Sequence, residues 1–164
     1  MGAGGWPATA VAEAEYRAVL GHFSSGVVVL TGGGRRPAGL TCQSFFSLSL
    51  QPPLVAFAVR SASASWRRIE SGVTCCANIL SAGQEALARA FARSGTDKFA
   101  GVGWDPGPAG APRLHGALAW VDAEVEAATT GGDHRLVIAR VTGLEAVAGE
   151  PLVFYRGGFG SFRP

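Results

Sequence analysis

The chain has 164 residues, of which 48% are hydrophobic and only 16% charged, with a formal net charge of +2. That length suits one domain around a single core, and the weak charge, with no basic run longer than Arg35-Arg36 or Arg67-Arg68, argues against a nucleic-acid protein. So little charge for a water-exposed surface predicts a homo-oligomer, and no stretch of about 18 apolar residues marks a membrane span.

The opening MGAGGWPATA lacks the charged start and apolar centre of a secretory leader, so the expected location is cytoplasmic. Residues 1–12 read as a flexible segment and 13–164 as a single domain. Glu13 to Phe23 then places Tyr16, Val19, Leu20 and Phe23 at helical spacing. Gly26 precedes the β-branched run Val27 to Thr31, and the cluster Gly32 to Gly39 predicts a turn into a second strand, GLTCQSFFSLS, over 39–49. These two strands are expected to form a hairpin. Thr41, Cys42, Gln43 and Ser44 stand in that strand where a core would take Val or Ile. Read from the residues alone, they are either the wet face of a barrel or a ligand-binding wall.

Gln51-Pro52-Pro53 can start a strand but not continue a central one, and LVAFAV follows it. SASASW, Ser61 to Trp66, precedes a short helix, where serines and free helix N–H groups either cap the helix or receive a phosphate. VTCCANIL is a core strand interrupted by Asn78, a polar side chain that needs a partner from protein or ligand. Ser81 with Gln84 fits a capping box that starts a helix over 82–93, and Gly101 to Pro112 reads as a long loop. From 116 to 127 the odd positions are apolar while Asp122, Glu124 and Glu126 alternate with them, the pattern of a half-exposed antiparallel strand. A Gly-Gly turn within Thr129 to Asp133 leads to a partner strand from His134 to Val141, and PLVFY is a last short strand. Six or seven strands with few helices predict a mainly β fold, a Greek-key barrel, rather than a doubly wound sheet.

The usual catalytic sets are missing from the sequence: there is no G-x-S-x-G, H-E-x-x-H or Walker loop, and the three histidines stand far apart. Cys42 and the adjacent pair Cys75-Cys76 have neither disulfide nor zinc spacing, so no metal site is expected and the thiols read as small buried hydrophobes. Asp133-His134 at a hairpin mouth is either a solvated turn or a ligand-facing imidazole.

Taken in order, FSSGVVVLT, GLTCQSFFSLSLQPPL, SASASW, CCANIL, the helix ending in Phe91, DKFAG, GGDH and PLVFYRGGFG resemble the short-chain flavin reductases, the reductase components of two-component flavin-dependent monooxygenases. The match runs over roughly residues 16 to 162. The resemblance implies a flavin reductase-like split β-barrel that forms a homodimer and binds FMN or FAD at the subunit interface, with NADH or NADPH as co-substrate. It implies that Thr41, Cys42, Gln43 and Ser44 line the isoalloxazine edge with Ser47 nearby, and that Gly26 lies beside the cofactor. Ser63 and Ser65 are placed near the phosphate, and Asn78 with Ser81 along the ribityl and phosphate side. Asp133, His134 and Arg135 are expected to meet NAD(P)H, with His134 as the catalytic position. The implied activity is hydride transfer from NAD(P)H to flavin and delivery of the reduced flavin to a monooxygenase; a non-catalytic flavin-binding split barrel is the alternative. Gln51 stands where the family commonly has Asp, and Ala139 where it has Gly.

Overall fold

The computed structural model describes residues 11–163; most of the segment 1–12 therefore lies outside the described residues. Its elements in chain order are α1 (Glu13–Leu20), β1 (Ser25–Gly26), β2 (Val28–Gly32), β3 (Ala38–Cys42), β4 (Phe46–Leu50), β5 (Pro53–Arg60), α2 (Ala64–Ser71) and β6 (Thr74–Ile79). A single 3₁₀ turn (Ala82–Gln84) leads into α3 (Glu85–Ala92), and β7 (Trp104–Pro106), β8 (Pro112–Leu114), β9 (Ala119–Gly131), β10 (His134–Ala146), β11 (Leu152–Tyr155) and β12 (Gly158–Ser161) complete the chain.

The strands form a seven-stranded antiparallel sheet in the order β3-β2-β6-β9-β10-β5-β4, with a three-stranded sheet β1-β11-β12 and a ribbon β7-β8 beside it. The large sheet encloses one apolar cluster built on Leu30, Phe57, Trp66, Ile69 and Val137. A second cluster around Val27, Val29, Leu80, Phe91 and Leu114 seats α3 and the ribbon. The strand ladder does not close the large sheet. Its two ends meet instead where the Ser44 hydroxyl, in the connector between β3 and β4, donates to the Ala58 carbonyl (3.0 Å) and accepts from the Ala58 N–H (2.8 Å). One side chain thus stands in for a ladder partner at the seam of a split barrel.

The β2–β3 hairpin forms as expected, pairing Val28 with Cys42. Several expectations are corrected. The stretch 39–49 is two strands broken at Gln43 to Phe45, because Ser44 turns its side chain onto β5 where a continued β3 would pass by. The loop predicted for 101–112 carries the β7–β8 ribbon, which prolines at 106 and 112 had disguised. The last turn is Gly132-Asp133 alone, since β9 continues through Gly131, and the glycine-rich β12 gave no strand signal. α1 ends at Leu20; its apolar face has the predicted period, yet Tyr16, Val19 and Leu20 are all exposed, as is Phe23 beyond it.

Asp122 breaks the alternation read along β9. It is 1% exposed, although it stands between the buried residues Val121 and Ala123. A register shift between Val141 and Gly143 on β10 accompanies this turn inward. Asp122 Oδ2 accepts from Arg113 Nε (3.2 Å) and Nη2 (2.5 Å), and Arg113 Nη1 donates to Glu145. This ion pair fixes the ribbon to the sheet.

Candidate functional site

A groove of about 1480 Å³ opens beside the seam, walled by β3 and the Gln43-Ser44 connector, the end of β5, the start of α2 and the segment from Phe91 to Ala100. That volume exceeds the roughly 300–1,000 Å³ of a pocket for one drug-sized ligand. Each wall has a local cause. α2 starts where Ser63 takes an extended conformation and its Oγ accepts the Trp66 N–H (3.1 Å), and the apolar side of the helix buries Trp66 and Ile69. Phe91 is fully buried and lies against Gly39, where a Cβ would come within 2.5 Å of the ring, so only glycine lets β3 run this close to α3.

Strand β3 is an end strand of the large sheet and forms one wall of the groove. The Val27 carbonyl accepts from Leu80 N–H (3.0 Å), turning alternate residues of β2 toward β6. Val28, Leu30 and Gly32 then face β3 and pair with Cys42, Leu40 and Ala38. The N–H and C=O groups of Gly39 and Thr41 consequently point away from β2, and both residues line the groove. The Gly39 carbonyl is taken by Lys98 Nζ (3.0 Å).

Of the residues singled out in the sequence, Thr41, Cys42, Gln43, Ser44, Ser63, Ser65 and His134 line this groove. Their side chains are less available than four polar positions in a row suggested. Thr41 Oγ1 donates to the Ala88 carbonyl (2.6 Å), Ser44 closes the seam, and burial pushes the Cys42 thiol above its ordinary pKa despite the Ser44 hydroxyl beside it. Gln43 is exposed. His134 begins β10 opposite Arg60 of β5, and its Nδ1 lies 2.7 Å from Asp133 Oδ1. That hydrogen bond and the imidazole charge hold the Asp133 carboxyl below the usual carboxylate range.

The remaining positions lie elsewhere. Asn78 is fully buried within the protein: Nδ2 donates to the Val29 carbonyl (3.0 Å) and Thr31 Oγ1 (3.1 Å), while Oδ1 accepts the Leu114 N–H (2.7 Å). The partner it required is therefore the ribbon and β2, and the side chain has nothing left for a ribityl chain. Ser81 caps its helix, with its N–H donating to Gln84 Oε1 (3.0 Å), outside the groove walls. Gly26 pairs with Val153 of β11, Ser47 with Val55 of β5, and Arg135 forms an ion pair with Glu70 at 2.7 Å; none of them lines the groove, nor does Asp133. Ala139 is fully buried in the sheet core, so its methyl group does not narrow the groove.

Sequence reasoning missed the charge. Arg35, Arg36, Arg60, Arg68, Arg93 and Lys98 all line the groove, and among the described residues none of them has a carboxylate partner. The arginines that do form ion pairs, at 17, 89, 113, 135, 140 and 163, all lie outside it. Asp97 is the one carboxylate among the groove's lining residues. These cations come from the β2–β3 turn, the end of β5, α2 and the segment after α3, so beyond the pair Arg35-Arg36 no run in the sequence announced them. Uncompensated cations gathered on one concave surface suit an anionic ligand.

Residues 20–163 match the family model described as a flavin reductase like domain. The chain belongs to this family. It is 40% identical, over 99% of its own length and 85% of the relative's, to the reductase subunit HsaB of a flavin-dependent monooxygenase from Rhodococcus jostii. Among solved structures it resembles a nitrilotriacetate monooxygenase component B homologue from Mycobacterium thermoresistibile, with TM-score 0.89 and 40% identity over 93% of this chain and 87% of that one. It also resembles the NADH:FAD oxidoreductase SgcE6 of Streptomyces globisporus in complex with NAD and FAD fragments, with TM-score 0.87 and 37% identity over 92% of this chain and 93% of that one. As a flavin reductase-like split barrel, this chain carries its groove at the seam.

Proposed function

We propose that this protein is an NAD(P)H:flavin oxidoreductase that reduces FMN or FAD and hands the reduced flavin to a partner monooxygenase. The observation that carries the reading is the groove itself, which joins an unpaired β-edge to a rim of uncompensated cations. Both fit a flavin nucleotide: a flat ring with a polar edge at one end and a phosphate at the other. When bound, the flavin supplies the ring that accepts hydride from the nicotinamide.

The protein's own contribution is position and charge. The outward N–H and C=O of Thr41, with the exposed carboxamide of Gln43, hold the polar edge of the ring through neutral hydrogen bonds. Ser63 and Ser65 at the start of α2, backed by the cationic rim, hold the phosphate. His134 receives the nicotinamide. Its Nδ1 is engaged by Asp133, which fixes the ring plane and leaves Nε2 for the co-substrate.

The homodimer and the single domain over 13–164 belong to the same reading. Phe46, Leu48 and Leu50 are all exposed on edge strand β4, and the apolar side of α1 is bare, surfaces that a second copy would cover. Light scattering at micromolar concentration should return twice the chain mass; the mass of a single chain would remove the dimer from the reading. No helix among the described residues is long and apolar enough to cross a membrane. Three free cysteines agree with a reducing cytoplasm.

His134→Ala provides the direct test. NADH oxidation with excess FMN should fall by about tenfold or more while flavin fluorescence titration still reports binding. A variant that oxidises NADH at the wild-type rate would overturn the role given to His134.

A further inference from the structure

Lys98 is the one lysine of the chain, and no candidate role fell to it in the sequence. Its ammonium group is spent entirely on neutral oxygens: the Phe91 carbonyl at the end of α3 (2.9 Å), the Gly39 carbonyl on β3 (3.0 Å) and Ser65 Oγ in the first turn of α2 (3.2 Å). Three donors meet three acceptors from three different walls of the groove, so the ammonium is held in place without losing its charge. The neighbouring carboxylate does not neutralise it. Asp97 instead accepts the Phe99 N–H at 3.1 Å, and Lys98 has no carboxylate partner among the described residues. The other arginines lining the groove are Arg35 and Arg36 in the β2–β3 turn, Arg60 at the end of β5, Arg68 on α2 and Arg93 beyond α3.

The bond to Ser65 has a further effect. A serine hydroxyl has one proton to give, and because Lys98 donates to Ser65 Oγ, that proton is left for a group in the groove. Ser65 is thereby oriented as a donor beside a fixed positive charge. We propose that Lys98 is the positioning residue by which the groove distinguishes a phosphorylated flavin from an unphosphorylated one, setting Ser65 as a donor to the phosphate and adding an uncompensated charge behind it. This rests on the flavin reading of the groove given above.

The probes are FMN and riboflavin, which share the ring and ribityl chain and differ only in the phosphate. In fluorescence titrations the wild-type protein should bind FMN more tightly than riboflavin. Lys98→Met should weaken FMN about tenfold while riboflavin changes by less than about twofold. Equal weakening of both flavins would make Lys98 a purely architectural residue and overturn the proposal. A wild-type protein that binds neither would overturn the flavin reading itself, so the two failures are read from different samples.

Lys98→Arg keeps the charge and tests the same point if Lys98→Met does not fold. Burial lowers the Lys98 pKa from its ordinary value of 10.5, so the ammonium loses its proton earlier in an alkaline titration than a solvated lysine would. The charged form is the one that favours the phosphate. The wild-type preference for FMN should therefore decline as pH rises toward 10.5, while that of Lys98→Arg stays level because a guanidinium keeps its proton. Ionisation of the flavin ring in alkali cancels in the FMN-to-riboflavin ratio. A wild-type ratio that does not change over that range would count against Lys98.

Discussion

Arg113 and Lys98 are both partly withdrawn from water, but Arg113 lies between Asp122 and Glu145 whereas all three Lys98 protons go to uncharged oxygens. The first arrangement ties the β7–β8 ribbon to β9 and leaves no positive charge to spare. The second joins three walls of a groove and keeps its charge. The contrast extends outward: the paired arginines all stand away from the groove, and the arginines and the lysine lining it are all without carboxylate partners among the described residues. A charge neutralised within the fold contributes to architecture, and one left without a counter-ion remains available to a ligand.

The largest effect is expected on the compensated side. Asp122→Ala would leave Arg113, whose side chain is only 17% exposed, without its buried partner. Glu145 still pairs the guanidinium, so the expected loss is about 2–3 kcal/mol of stability, read as a shift in the urea midpoint. The ratio of FMN to riboflavin affinity in the surviving folded protein should not move. If it does, the two regions are not independent. Gly39→Ala acts on the other side with a smaller effect. The new methyl group would meet the Phe91 ring at 2.5 Å, and the overpacking should cost about 1–3 kcal/mol in a thermal melt. Because Gly39 also supplies the carbonyl that holds Lys98, this variant should weaken FMN more than riboflavin, as Asp122→Ala should not.

Much of the fold was legible because it rests on local periodicity. The β-branched run before Thr31, the capping box at Ser81 and Gln84, and the paired strands either side of the last turn all fell close to their expected places. The errors occur where a distant partner decides the outcome. Asp122 reads as a surface residue until Arg113 arrives from the ribbon, and Asn78 reads as a ligand contact until Leu114 supplies its N–H. Ser44 reads as one more strand position until the Ala58 backbone takes its hydroxyl. The groove shows the same division. Its floor was visible as GLTCQS and SASASW, whereas its charge is assembled from one adjacent pair and four separate residues on four segments, a pattern that exists only after folding. Lys98 had a weak signal in DKFAG, but nothing in that motif says which three oxygens would surround the ammonium.

Position 44 carries two duties that cannot be separated. Its hydroxyl both donates to and accepts from Ala58, so any substitution that alters the ligand wall there also unfastens the barrel. Gln43, one residue earlier, has an exposed side chain and carries no such obligation. In evolutionary terms the neighbours have different freedom: descendants of this sequence can explore new flavin contacts through 43 at little structural risk, while change at 44 requires a compensating repair on β5.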